Sequence, residues 1–92
     1  PTILFCGNDQ IALQVFSATY SLGLRIPDDL SIVGFDDFWV ITKVIRPSLT
    51  TVALPYFEMG KTAVVTLLSM FGGGQVLKVV SIPSHFVERQ TL

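Results

Sequence analysis

Short apolar runs alternate with amphipathic stretches along this chain, and the alternation predicts an α/β fold. Five runs have the length and composition of strands: residues 2–6, 31–35, 50–54, 76–82 and 85–88. Two longer stretches have helical spacing: one from Asn8 or Asp9 to about Leu22, and one over residues 55–71. Residues 38–45 predict a short helix or loop that ends before Pro47. Strands that alternate with helices in this way are typical of a parallel sheet with right-handed crossovers.

The first predicted helix has an unusually wide apolar face. It has a good N-cap in Asn8 or Asp9, a stop at Gly23, and no charge between Gln10 and Leu24. Its apolar side chains cover an arc of about 200°, whereas packing on one sheet needs a stripe only somewhat over 100° wide. Two interpretations remain open. The helix lies inside a larger core, or it forms a subunit interface around the three residues Leu13, Phe16 and Tyr20.

Polar and aromatic side chains follow three of the predicted strands. Asn8 and Asp9 follow the first strand, Asp36 and Asp37 the second, and Leu54-Pro55-Tyr56 the third. Ligands of open α/β sheets bind outside the carboxyl ends of the strands, so Asp36 is the first candidate for a ligand contact. In an extended segment Asp36 and Asp37 point to opposite faces. One of them then faces a ligand while the other caps the next helical turn, or both are caps.

Composition indicates that other protein covers part of this chain. Charged residues make up only 14% of the 92 residues, against roughly 25% in an average soluble domain, and we expect a piece of a longer chain. The net charge is −1 with no cluster of Lys or Arg, so these residues are not expected to grip nucleic acid. The single Cys6 predicts a buried thiol, and no apolar run is long enough to span a bilayer.

No pattern for catalysis stands out. The only histidine, His85, lies beside a strand break without a nucleophile or acid near it in sequence, and no metal-ligand spacing occurs. The triplet at residues 72–74 lacks the spacing of a phosphate-binding loop and predicts a helix stop. We therefore predict no catalytic residues, no metal site and no cofactor.

Several segments together resemble the LacI/GalR family of bacterial transcriptional regulators. They are CGNDQIAL (residues 6–13), GLRIPDDLSIVGFDD (23–37), PSLTTV (47–52), EMG (58–60) and VERQT (87–91). Each segment alone is a weak signal, but they occur in order and cover nearly the whole chain. The resemblance implies the type I periplasmic-binding-protein-like fold, an α/β parallel-sheet sandwich, with only its C-terminal part present.

The resemblance also implies an architecture with two lobes. Residues 1–53 and 85–92 would belong to the C-terminal lobe, and residues 55–82 would cross into the N-terminal lobe. The family's DNA-binding domain lies upstream and is absent from these 92 residues. Effector binding between the lobes would shift an equilibrium that a homodimer relays to operator DNA. The implied protein is cytoplasmic and has no membrane partner.

The resemblance implies contacts for a small effector, usually a sugar. Positions matching Asn8 and Asp36 hydrogen-bond the effector, and the rings of Phe35 and Tyr56 would offer faces on which a sugar or purine packs. Leu54 stands where many members have a polar residue, often Gln. This predicts an effector with fewer hydroxyl groups than a hexose, or one that binds shifted toward Asp36 and Asn8. The alternatives are a sugar-binding protein of the same fold that serves transport or chemotaxis and, less favoured, a small flavodoxin-like enzyme.

Overall fold

The computed structural model describes residues 2–92 and divides the chain into two compact units. The first contains residues up to Leu54 together with His85–Leu92, and the second contains Pro55–Ser84. The elements in chain order are β1 (Ile3–Phe5), α1 (Asp9–Ser21), β2 (Ser31–Val33), α2 (Trp39–Thr42), β3 (Thr51–Ala53), α3 (Tyr56–Phe71) and β4 (His85–Val87).

The strands of the first unit combine parallel and antiparallel pairing. β1 and β2 are parallel, and parallel bridges join the β2 side to the β3 side at Val33–Thr50 and Asp36–Ala53. The predicted parallel arrangement is wrong for the last strand, because β4 pairs antiparallel with β3. The chain leaves this unit after Leu54 and returns at His85. His85 is the register partner of Ala53, the last residue of β3. Since the chain returns at the end from which it left, the returning strand runs in the opposite direction.

Helix α1 follows its predicted boundaries and covers the core of the first unit. Asn8 is the N-cap, since its Oδ1 accepts a hydrogen bond of 2.8 Å from the Ile11 N–H. Gly23, at φ +71°, lies just beyond the helix end. The buried apolar cluster contains Cys6, Ala12, Ile32, Ile41 and Leu49. The prediction that Cys6 is buried is confirmed.

Strand β1 is not buried as predicted. Its three side chains are all exposed, and that of Phe5 is 74% exposed. Among residues 2–92, β1 pairs with β2 alone, so one of its edges has no neighbouring strand. An unpaired edge leaves backbone N–H and C=O groups accessible, and the exposed side chains show that neither face of β1 is fully covered by residues 2–92.

The segment that follows β4 is fastened to the first unit by buried hydrogen bonds. Thr91 Oγ1 accepts from the Thr50 N–H at 2.8 Å and donates to the Ile32 carbonyl at 2.7 Å. The Thr91 carbonyl also accepts from the Ile32 N–H. Beside it, Gln90 Oε1 accepts from both the N–H and the hydroxyl of Ser48. Thr91 thus belongs to the buried polar interior of the unit, whereas the Gln90 bonds lie at its surface.

The second unit consists of α3 and the segment 72–84, and it has little interior of its own. No residue of α3 is buried, and its apolar side chains from Tyr56 to Phe71 are largely exposed. The strand predicted at residues 76–82 is absent: these residues have no regular secondary structure. A strand needs a neighbour for its backbone hydrogen bonds, and no strand within the described second unit supplies one.

No helix among residues 2–92 is both long and apolar enough to cross a membrane.

Candidate functional site

The residues that follow β1, β2 and β3 meet at one edge of the first unit. The Asp9 N–H donates to the Phe35 carbonyl at 3.1 Å. The Asp36 N–H donates to the Val52 carbonyl at 2.9 Å, and the Leu54 N–H reaches the Asp36 carbonyl at 3.4 Å. We call Asn8, Phe35, Asp36 and Leu54 the strand-end cluster. These four residues are distant in sequence, and backbone hydrogen bonds bring their chain segments side by side.

Asp36 and Asp37 depart from the predicted extended conformation. Both have positive φ angles, 135° and 61° respectively. Positive φ is uncommon for residues other than glycine, although Asp adopts it more readily than most. The prediction that their side chains alternate along an extended strand is therefore wrong. Non-glycine residues held in such sparsely populated conformations concentrate at functional sites, where the surrounding structure maintains them.

An ion pair holds this unusual turn from the opposite end of the sequence. Arg89 Nη2 lies 2.7 Å from Asp37 Oδ1, and both side chains are mostly buried. Arg89 Nη1 donates to the Leu49 carbonyl at 2.8 Å, and the Arg89 N–H donates to Thr50 Oγ1. The guanidinium is thus fixed by the loop before β3 and in turn fixes Asp37. Because Asp37 is covalently adjacent to Asp36, this pair also positions Asp36.

Asp9 is the polar residue of this region whose role the sequence analysis missed. It is fully buried. Its Oδ2 accepts from the Phe38 N–H at 2.7 Å, and its Oδ1 accepts from the Thr51 hydroxyl at 2.7 Å. Asp9 also takes the N–H of Phe38, the N-cap residue of α2. Capping of this turn by Asp36 or Asp37 stays a prediction. Asp9 therefore ties α1, α2 and β3 together beneath the cluster.

Gly34 makes room for the Asp9 carboxylate. A Cβ atom at position 34 would clash with Asp9 Oδ1 and lie 3.0 Å from Leu49 Cδ2. Gly34 itself is buried, and its N–H donates to the Thr50 carbonyl. The close approach of Asp9 therefore explains why a glycine stands between Val33 and Phe35. The sequence alone does not reveal this reason, because Asp9 lies far away along the chain.

The predicted contact residues differ in their exposure and in the groups that they present to a ligand. Asn8 is half-buried, and its Oδ1 is committed to the helix cap, so its amide N–H groups are the donors available to another molecule. Phe35 is exposed, while Asp36 and Leu54 are half-buried. Tyr56 is exposed on the first turn of α3, in the other unit. The described first unit thus brings together four of the five predicted contacts.

The three residues predicted at a subunit interface divide into two kinds. Leu13 and Phe16 are half-buried and pack against the core of their own unit. Tyr20 is 88% exposed near the end of the same helix. The width of the apolar arc therefore comes partly from packing within this unit. Of the three, Tyr20 has the largest share of its surface available to a partner.

Groups that could perform covalent chemistry are few near the cluster. Burial raises the pKa of the Cys6 thiol, and the nearby Asp9 charge raises it further, which keeps the sulfur protonated and weakly nucleophilic. No three His, Cys, Asp or Glu side chains among residues 2–92 could hold a metal ion together. The arrangement offers a carboxylate, an amide, a ring and an apolar side chain, which are groups for binding.

Comparisons with known proteins all identify similar proteins of one kind. The model of the periplasmic binding protein-like domain matches residues 1–92. The chain is 30% identical over 93 residues to the NTD biosynthesis operon regulator of Bacillus subtilis, covering 99% of this chain and 28% of that protein. It is 42% identical over 76 residues to the transcriptional repressor CytR of Escherichia coli, covering 83% of this chain and 22% of the repressor.

Solved structures agree with these sequence matches. A dimeric Lac repressor with a C-terminal deletion superposes with a TM-score of 0.89 at 35% identity, covering 99% of this chain and 33% of that one. A LacI family regulator from Enterococcus faecium with bound ribose gives a TM-score of 0.84 at 31% identity, covering 97% and 33%. The chain thus spans about a third of these solved chains and less than a third of the curated relatives described above.

Proposed function

This chain belongs to the periplasmic binding protein-like domain family, and from that membership we propose that it forms part of the effector-binding domain of a LacI-type transcriptional regulator. The relatives named above are transcriptional regulators. That favours regulation over transport among proteins of this fold. Operator DNA would be bound by a domain outside these 92 residues, and the protein would act in the cytoplasm, where the chromosome is.

The strand-end cluster is the surface that we propose for the effector, and the conformation of Asp36 supports it most. A positive φ costs free energy, so the residue needs external support to stay there. Arg89 supplies that support through Asp37 at 2.7 Å. A carboxylate that the fold holds at the carboxyl ends of parallel strands is well placed to accept hydrogen bonds from hydroxyl groups.

The other members of the cluster indicate the chemistry of the ligand. The Asn8 amide adds donors, the Phe35 ring adds a face on which a sugar or purine can pack, and Leu54 adds an apolar contact. The Enterococcus relative has ribose bound. We therefore propose a sugar or nucleoside with hydroxyl groups toward Asp36 and Asn8 and a less polar edge toward Leu54. Tyr56 stays a predicted contact from α3.

Removing the Asp36 carboxylate tests this assignment. In the full-length protein, Asp36→Ala is expected to weaken effector binding by about 1.5–3 kcal/mol, because hydrogen bonds to a charged group are lost. Calorimetry with ribose, a hexose, a deoxy-sugar and a purine nucleoside measures the affinities. Asp28→Ala is the matched control, since it removes the same group from an exposed turn where Asp28 lies 3.9 Å from Arg25.

Two results count against the proposed function. Either no compound of this panel binds the wild-type protein saturably, or Asp36→Ala binds the preferred compound as tightly as Asp28→Ala does. Binding of DNA without effector should be the same in all three proteins, because we assign Asp36 to the effector site and not to DNA.

We also propose that the exposed end of α1 takes part in a homodimer. Tyr20→Glu would bring an ionised group into an apolar contact, which is costly without a partner charge. Sedimentation of the full-length variant is expected to show monomers, whereas Tyr20→Phe, which keeps the ring, stays dimeric. A stably folded and fully dimeric Tyr20→Glu protein would place the interface elsewhere. Tyr20 is preferred over Leu13 and Phe16, whose substitution would also disturb the unit's own core.

A further inference from the structure

A polar cavity of about 400 Å³ lies in the first unit, and no residue of the strand-end cluster lines it. Its walls come from the end of α2, the loop before β3 and the segment after β4: Thr42, Lys43, Arg46, Ser48, Arg89 and Gln90. We call it the basic cavity. Three of the six lining residues are cationic and none is acidic, although the 92 residues together have a net charge of −1.

Two of these cations have no carboxylate partner. Arg89 pairs with Asp37, and Arg25, remote from the cavity, pairs with Asp28 and Asp29. Lys43 and Arg46 form no ion pair with any of the residues 2–92. Among the described side chains of the first unit, therefore, the two cations that lack an acidic partner both lie at this cavity. Their charges raise the local potential together and attract an anion.

The cavity also holds hydrogen-bond donors in defined positions. Arg46 Nη1 is anchored by the carbonyls of Lys43 and Ile45 at 3.0 and 2.8 Å, which leaves its other guanidinium N–H groups as donors. Gln90 Oε1 is occupied by the N–H and the hydroxyl of Ser48 at 3.0 and 3.1 Å. Because its carbonyl oxygen is committed, the donor side of the Gln90 amide remains for another molecule.

Thr42 adds an independent observation. Its side chain is almost fully buried in the wall of the cavity, and its Oγ1 has no hydrogen-bond partner in the described chain. Buried polar groups are nearly always paired, because leaving one unpaired costs free energy. Thr42 thus lines the cavity and keeps a buried hydroxyl that no group among residues 2–92 uses.

We propose that the basic cavity binds a phosphate group, carried by inorganic phosphate or by a phosphorylated small molecule. A phosphate presents several acceptor oxygens and a negative charge, which match the guanidinium, ammonium and amide donors of this site. Among the described residues, the cavity contains no carboxylate that would repel it. The site goes beyond the proposed effector contact, because it uses different residues and a different ligand chemistry.

Calorimetry of the full-length protein in a phosphate-free buffer tests the site, with inorganic phosphate and ribose 5-phosphate as probes. Replacing Lys43 and Arg46 together by Gln is expected to weaken binding of either probe by at least about tenfold, since charge-assisted hydrogen bonds are lost. Lys61→Gln, with an exposed lysine on α3, is the control and keeps the wild-type affinity. Tighter binding of ribose 5-phosphate than of phosphate, if it persists in an Asp36→Ala protein, would identify a phosphorylated metabolite as the source.

A second measurement needs no substitution at the site. In the wild-type protein, titration with inorganic phosphate is expected to shift the NMR signals of the Gln90 side-chain amide, and titration with ribose is not. Absence of saturable binding by both phosphate probes overturns the proposal, as does equal affinity in the double variant and Lys61→Gln. Neither result bears on the Asp36 test, which uses uncharged ligands.

Discussion

Replacement of Asp9 by Ala is expected to lower the free energy of unfolding by about 3–5 kcal/mol. The side chain is fully buried and accepts two hydrogen bonds of 2.7 Å, from the Phe38 N–H and the Thr51 hydroxyl. Truncation removes both bonds and leaves the buried Thr51 hydroxyl and the partly buried Phe38 N–H without this acceptor. It also removes the carboxylate that links α1 to α2 and β3, although the buried apolar cluster still joins α1 and α2. Urea unfolding of the full-length protein measures the loss.

A substitution of Thr51, the hydrogen-bond partner of Asp9, provides a matched comparison for Asp9→Ala. Thr51→Val removes one of the two hydrogen bonds while it keeps the shape of the side chain, so we expect a loss of about 1–2 kcal/mol. The two substitutions in one protein should then cost less than the sum of the single losses, because they act on a shared contact. If the Asp9→Ala protein is no less stable than the Thr51→Val protein, Asp9 does not link α1 to α2 and β3 as proposed.

Replacement of Thr91 by Val is expected to cost about 2–4 kcal/mol, although the two side chains have nearly the same shape. The Thr91 hydroxyl accepts from the Thr50 N–H and donates to the Ile32 carbonyl, and all three groups are buried. Valine fills the same space and leaves that N–H without its acceptor and that carbonyl without its side-chain donor. Thermal unfolding of the full-length variant, followed by circular dichroism, detects the change.

A serine substitution at this position distinguishes the contribution of the hydroxyl group to stability from that of the methyl group. Thr91→Ser keeps both hydrogen bonds and loses only one methyl, so its cost should be about 1 kcal/mol and clearly below that of Thr91→Val. The reverse order of stability would assign the role of Thr91 to apolar packing. The same comparison tests whether the segment 89–91 contributes to the stability of the first unit.

Local signals in the sequence predicted the local features of this fold. The boundaries of α1 follow from Asn8 and Gly23, which act within one helical turn of each helix end. The meeting of the strand ends followed from the alternation of strands and helices, which sets where parallel strands finish. The contacts of Asn8, Asp36 and Leu54 with an effector stay predictions, since their placement alone does not identify a ligand.

Features that depend on distant partners were not predictable in the same way. Asp37 has positive φ and pairs with Arg89, which lies 52 residues away. Asp9 was recognised as a possible helix cap, but its partner Thr51 is 42 residues away. Residues 76–82 have the composition of a strand, yet strand formation depends on a neighbour that composition does not reveal. In each case the deciding interaction lies outside the window that a sequence pattern covers.

The attachment of residues 89–91 has a consequence for how the protein forms during synthesis. Thr91 bonds to partners 41 and 59 residues earlier in the chain. Ile32 and Thr50 leave the ribosome before Thr91 is synthesised, so their backbone polar groups have no hydrogen bond to Thr91 at that stage. The whole segment 55–84 must emerge before Thr91 can reach them. The first unit thus has a high contact order, which slows folding and prolongs the exposure of its apolar surface. A nascent chain halted within α3 is therefore a natural substrate for chaperones.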